Sequence, residues 1–148
     1  AEAFRERAER FVHDMAGRIH ALVPFPPDSN LVCLALNPQG NRKLSCANAF
    51  LQRLHAQLNS DPGQPIQVKQ FFASTTTIRP AVVGARDMQR ILEALGIDPA
   101  TLDPDDGDAD RLILLRHTLM NPYLIDHENR ISYIDRYFGY LEACIGNC

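Results

Sequence analysis

Apolar residues recur at Phe4, Ala8, Phe11, Met15, Ile19 and Leu22, a three-and-four spacing that draws one stripe down a helix from Glu2 to Leu22. Its other faces are dense in Arg and Glu, so this helix, within residues 1–24, either packs on a core or is the tail of a connector from a preceding domain. Phe25-Pro26-Pro27-Asp28 ends it and turns the chain into an apolar run, Leu31 to Leu36. Both faces of that run are apolar, which predicts a strand covered on both sides. Pro38-Gln39-Gly40-Asn41 is a turn signal, and Ser45 is a candidate cap for a helix carrying Ala47, Phe50, Leu51, Leu54 and Leu58 on one face. Asp61 to Pro65 closes it. Ile66, Val68 and Phe71-Phe72 predict a second strand, continued after a bend by Thr75 to Val83. Met88, Ile91, Leu92 and Leu95 mark a short helix over Arg86–Leu95, with Gly96 as its stop.

The stretch Asp98 to Asp110 holds six Asp and two Pro with almost nothing to bury, which predicts a mobile surface loop. Its Asp-x-Asp spacing fits no calcium-loop register, for the required Gly and Glu positions do not coincide. Next come Leu112 to Leu115 and Thr118 to Met120, a buried strand that stops at Asn121-Pro122, since Pro has no donor for a ladder. Ile131, Ile134, Phe138, Leu141 and Ile145 make a terminal amphipathic helix, with Tyr133, Tyr137 and Tyr140 widening its packing face or touching a neighbouring domain. Three or four strands interleaved with four helices, in the order α-β-α-β-β-α-β-α, imply an α/β (α+β) two-layer sandwich: a small, mostly antiparallel sheet packed with helices. No internal repeat is present.

Arg116 stands in the middle of the last strand. An unpaired buried charge costs several kcal/mol, so its head group must reach water, a carboxylate on another element, or an anionic ligand. His117 points to the opposite face of the strand and reads as a packing or structural residue.

Composition narrows the classes. At 148 residues the chain is long enough for one domain, 1–148, with a single core, and 45% hydrophobic with 22% charged residues is ordinary for a globular protein. A net charge of −3 with scattered arginines gives no basic field for a phosphate backbone, which argues against nucleic acid as a partner. No apolar run approaches the roughly 20 residues of a bilayer span, and no leader pattern opens the chain, so the expectation is a cytoplasmic protein with no membrane partner. Cys33, Cys46, Cys144 and Cys148 form no C-x-x-C pair and read as reduced, structural thiols. His13, His20, His55 and His127 share no metal-ligand spacing and sit on predicted helices or loops. Ser74 to Thr77 lacks the glycine-flanked elbow of a nucleophile and reads as β-prone surface that can line a cleft.

Two motifs carry a family resemblance. Leu115-Arg116-x-Thr118-x-Met120-Asn121-Pro122 resembles the closing strand of the small carboxy-terminal domain of group II pyridoxal-phosphate-dependent amino-acid decarboxylases, relatives of the glutamate, tyrosine, aspartate and aromatic amino-acid enzymes. Asp28-Ser29-Asn30-Leu31-Val32-Cys33-Leu34 is similar to the strand that opens that domain. The order of a helix ending near Leu58-Asn59 and a strand running into Ser74-Thr75-Thr76-Thr77 is also similar. One departure stands out: about thirty residues, Ala81 to Asp110, separate the Ser/Thr-rich strand from the Arg116 strand, where typical members have little chain.

The resemblance implies a small domain whose large, pyridoxal-phosphate-binding domain belongs to the same polypeptide, in a homodimeric parent enzyme acting on an amino-acid substrate. It implies that this chain forms a wall of the active-site cleft and that Arg116 lies close to the substrate carboxylate, which a planar guanidinium can hold with two charge-assisted bonds. The cofactor belongs to the full-length parent and is not bound by this chain alone. Only Lys43 and Lys69 are present; neither follows a His, and no Gly-rich phosphate cradle precedes a helix. Two other readings stay open: a stand-alone module that uses Arg116 to hold a small carboxylate, and a ferredoxin-like regulatory domain with a βαββαβ order.

Overall fold

A computed structural model describes residues 2–26, 30–58, 73–118 and 124–148. Helix α1 covers Glu2–Asp14 and buries Phe4, Ala8 and Phe11. It stops there: a turn in which Arg18 and Ile19 both donate to the Met15 carbonyl leads into strand β1, Ile19–Leu22. The expected helix to Leu22 is thus corrected. Gly17 lies in the turn, and the apolar spacing runs on across it because Ile19 still faces the same core. His20 consequently sits on a strand rather than a helix.

Strand β2, Leu31–Pro38, is central as its two apolar faces require, pairing with β1 on one side and with β4, Leu112–Thr118, on the other. Strand β3, Ser74–Ile78, pairs with the far edge of β4. The sheet order is β1-β2-β4-β3, and every pairing is antiparallel. Helix α2, Leu44–Leu58, joins β2 to β3. It begins one residue before Ser45, and its first backbone N–H is satisfied by the Thr101 hydroxyl at 3.1 Å rather than by a local serine cap.

The strand expected over Thr75–Val83 ends at Ile78, because Pro80 opens a short helix α3, Pro80–Val83. Helix α4, Ala85–Ala94, follows and is stopped by Gly96, whose φ of 72° suits a residue without a Cβ. A 3-10 turn, Pro99–Thr101, and the acidic stretch lead into β4. Short strands β5, Ile125–Asp126, and β6, Ile131–Ser132, form a hairpin, so Ile131 belongs to a strand and not to the terminal helix. That helix, α5, runs Tyr133–Gly146, with Ser132 accepting from the Asp135 N–H as its cap. The expected turn at Asp61–Pro65, the strand positions Ile66 to Phe72, and Met120 to Pro122 lie outside the described residues.

The result is an α+β arrangement, with helices on both faces of the sheet. On one face α1, α2 and α5 bury Val32, Leu34, Leu36, Ile113 and Leu115. On the other, α4 covers Ala35, Ile78, Leu112 and Leu114, which adds a partial third layer to the expected two. Strand β2, helix α2 and strand β3 form a split crossover with β4 inserted between the two strands. The order ββαβααβ is not the βαββαβ of the ferredoxin-like reading.

The segment between β3 and β4 explains how a long insertion leaves the strand pairing intact. Asn37, fully buried on β2, donates to the Leu95 carbonyl at 2.8 Å and so ties the end of α4 to the sheet. Asn48 of α2 donates to the carbonyls of Asp108 and Arg111 and accepts from the Ile113 N–H, fixing where β4 begins. Within the acidic stretch, Asp103, Asp105, Asp106 and Asp108 are exposed, Asp98 caps the 3-10 turn, and Ala109 is buried.

Candidate functional site

Strand alternation sends Arg116 and His117 to opposite faces. Ile113, Leu115 and His117 face the three-helix side, whereas Leu112, Leu114 and Arg116 face the α4 side. Helix α4 covers Leu112 and Leu114 but leaves Arg116 exposed. In register, Arg116 lies between Cys33 of β2 and Ser74 of β3, so one row across three strands reads Cys33, Arg116, Ser74. Small residues on both sides give the guanidinium room to stand. Its Nε donates to the Ser74 hydroxyl at 3.1 Å, and that hydroxyl donates in turn to the Arg116 carbonyl at 3.0 Å. Among the described residues no carboxylate pairs with Arg116. Burial raises the Cys33 thiol above its usual range, and the neighbouring Arg116 charge opposes that shift.

Arg116 and Ser74 lie at the rim of a groove of about 240 Å³ at the end of the sheet, walled by Phe4, Leu124, Ile134 and Tyr137. Two contacts build it. Arg7 donates to Asp135 at 2.9 Å and stacks on Phe138, which fastens α1 to α5 and sets Phe4 beside Tyr137. The Tyr133 N–H donates to the Leu124 carbonyl at 2.9 Å, which seats the start of α5 on the hairpin.

The floor is a buried polar pair. His117 Nδ1 donates to the Val32 carbonyl at 3.1 Å, so its Nε2 is the acceptor for the Tyr137 hydroxyl. Burial pushes His117 down from 6.5 to about 4 and pushes the Tyr137 hydroxyl well above its usual range, so both are neutral at pH 7. Phe4 packs on this pair with its ring centroid 4.8 Å from that of His117. The expected structural role of His117 is what the geometry has. Sequence reasoning missed Tyr137 as its partner; the available signal was that a buried tyrosine hydroxyl needs an acceptor, and a histidine on an apolar strand can supply one.

Residues 2–144 match the family model described as tyrosine decarboxylase, C-terminal. The chain belongs to that family. No curated protein matches the chain. The match spans both motifs that carry the resemblance and also the long segment between β3 and β4.

Within this decarboxylase C-terminal chain, Lys43 is the single lysine among the described residues. Lys43 is exposed in the turn before α2, its N–H and C=O both engaged by the Asn41 side chain. Lys69 lies outside the described residues. The four cysteines are free, at positions 33, 46, 144 and 148. Among the described residues no cluster of His, Cys, Asp and Glu could hold a metal ion, and no helix is long and apolar enough to cross a membrane.

Proposed function

We propose that this chain is the single small domain, residues 1–148, of a cytoplasmic amino-acid decarboxylase, where it forms one wall of the active-site cleft and Arg116 binds the substrate carboxylate. The observation that carries this reading is an exposed guanidinium on β4, beside an apolar groove, with a serine hydroxyl and no carboxylate as its partner among the described residues. Arg116 differs in this from Arg7, which pairs with Asp135, and from Arg79, which pairs with Asp110. Family membership supports a larger polypeptide around this chain. In that parent, a homodimer, the large domain holds pyridoxal phosphate, which supplies the electron sink for loss of the carboxylate. The part of this chain is to orient the carboxylate and to shield one side of the cleft from water.

Arg116→Lys in the full-length enzyme tests the reading. A lysine keeps the charge but loses the planar fork, so kcat/KM should fall by about 1.5 to 3 kcal/mol in transition-state stabilisation, with little change in the unfolding midpoint. Unchanged kinetics with lowered stability would make Arg116 a structural residue. The isolated chain, mixed with stoichiometric pyridoxal phosphate, should develop no internal-aldimine absorbance; such a band would contradict the assignment of the cofactor to the other domain. The stand-alone carboxylate-binding reading uses the same Arg116, and the reading frame upstream of Ala1 separates the two: a His-Lys dipeptide in a preceding large domain supports the decarboxylase.

A further inference from the structure

The Ser74 hydroxyl closes a ring with a single residue. It accepts from Arg116 Nε at 3.1 Å and donates to the Arg116 carbonyl at 3.0 Å, across a pairing in which the two residues are direct partners in the β3–β4 register. A donor and an acceptor of one hydroxyl are thus both spent on one arginine, one end on the backbone and the other on the guanidinium. Because Nε is the nitrogen engaged, the two terminal nitrogens remain: among the described residues neither has a hydrogen-bond or ion-pair partner. An edge of two parallel N–H groups is the geometry that grips a carboxylate with two bonds.

An exposed arginine ordinarily loses much rotamer freedom when it binds an anion, and ordering it beforehand removes part of that cost. Cys33, on the other flank, is small and carries no bond to the guanidinium, so the steering comes from one side. Alanine at position 74 would leave the strand and the pairing but release Nε.

We infer that Ser74 is a positioning residue that holds Arg116 with its two terminal nitrogens free for the carboxylate of the substrate. The inference rests on the reading of Arg116 given above. It extends that reading to a residue 42 positions away in the chain, from the strand on the far side of the insertion.

Steady-state kinetics of the full-length enzyme carrying this chain, with thermal unfolding of each variant, test it. Ser74→Ala should raise KM by about 3- to 10-fold, the worth of one net hydrogen bond, while kcat changes less than about twofold, since a pre-ordered arginine serves ground and transition states alike. Ser74→Thr keeps the hydroxyl on a strand-compatible residue and should restore KM. In an Arg116→Lys background, which has no Nε to hold, Ser74→Ala should add nothing. A KM unmoved by Ser74→Ala while Arg116→Lys raises it would overturn the inference and leave the arginine reading standing. Additive losses in the double variant, or a threonine variant as poor as alanine, would also overturn it by making Ser74 a structural residue. If Arg116→Lys itself is silent, both readings fall.

Discussion

The two faces of strand β4 carry neighbouring polar residues to opposite ends. His117 enters the face closed by α1, α2 and α5, where it is buried, neutral and satisfied by Val32 and Tyr137. Arg116 leaves on the face that α4 covers only in part, where it stays exposed. A polar group on the sealed side must find all its partners inside the fold, whereas one on the open side can keep bonding capacity for a ligand. The candidate site therefore joins an exposed guanidinium from the partly covered face to a groove walled by residues of α1 and α5.

The sealed face should be the costlier one to damage. Phe138 is fully buried, packs on Phe4 and Phe11 at 5.1 and 5.2 Å, and lies beneath the Arg7 guanidinium. Phe138→Ala should cost about 3 to 5 kcal/mol in denaturant unfolding, and a loss under about 1 kcal/mol would mean this face is less tightly packed than described.

The His117 pair predicts a pH dependence. Unfolded, this histidine takes up a proton near 6.5; folded, burial delays that to about 4. Between those values the unfolded chain binds more protons, so stability is fully present above about pH 6.5 and declines as pH falls toward 4, by about 3 kcal/mol for this group. Unfolding curves across that window should show the slope, and His117→Gln should flatten it. An equally steep variant would assign the acid loss to other groups.

Asn48→Ala removes the partner of two carbonyls and one N–H where the insertion rejoins the sheet. The expected loss is about 2 kcal/mol, and hydrogen exchange should quicken at the Ile113 amide first. Uniform quickening over the whole sheet would show that Asn48 supports the global fold rather than this junction.

Much of this was legible in the chain. Strand β2 and helices α2 and α4 follow from apolar runs bounded by Pro and Gly, and strand β4 was visible because its apolar run is too short for a helix and ends at a Pro. The α1–β1 boundary was hidden because Ile19 and Leu22 continue a helical spacing by coincidence across the turn at residues 15–18. The β5–β6 hairpin has strands of two residues each, below what alternation can register. At the site, Arg116 stood out as a charge inside an apolar strand. Its alliance with Ser74 did not, since the register spans the whole α3–α4 segment. The groove draws Phe4 from one end of the chain and Tyr137 from the other, a meeting that only tertiary packing produces.

The central claim is that Arg116 reads a carboxylate, and two competitive inhibitors of the full-length enzyme examine it most directly: the substrate amino acid's non-reactive carboxylate analogue and the product amine, which lacks the α-carboxylate. In Arg116→Lys the analogue should bind about 10-fold or more weakly, as for the loss of one charge-assisted bond, while the amine binds as before. Equal weakening of both, or of neither, would contradict the account.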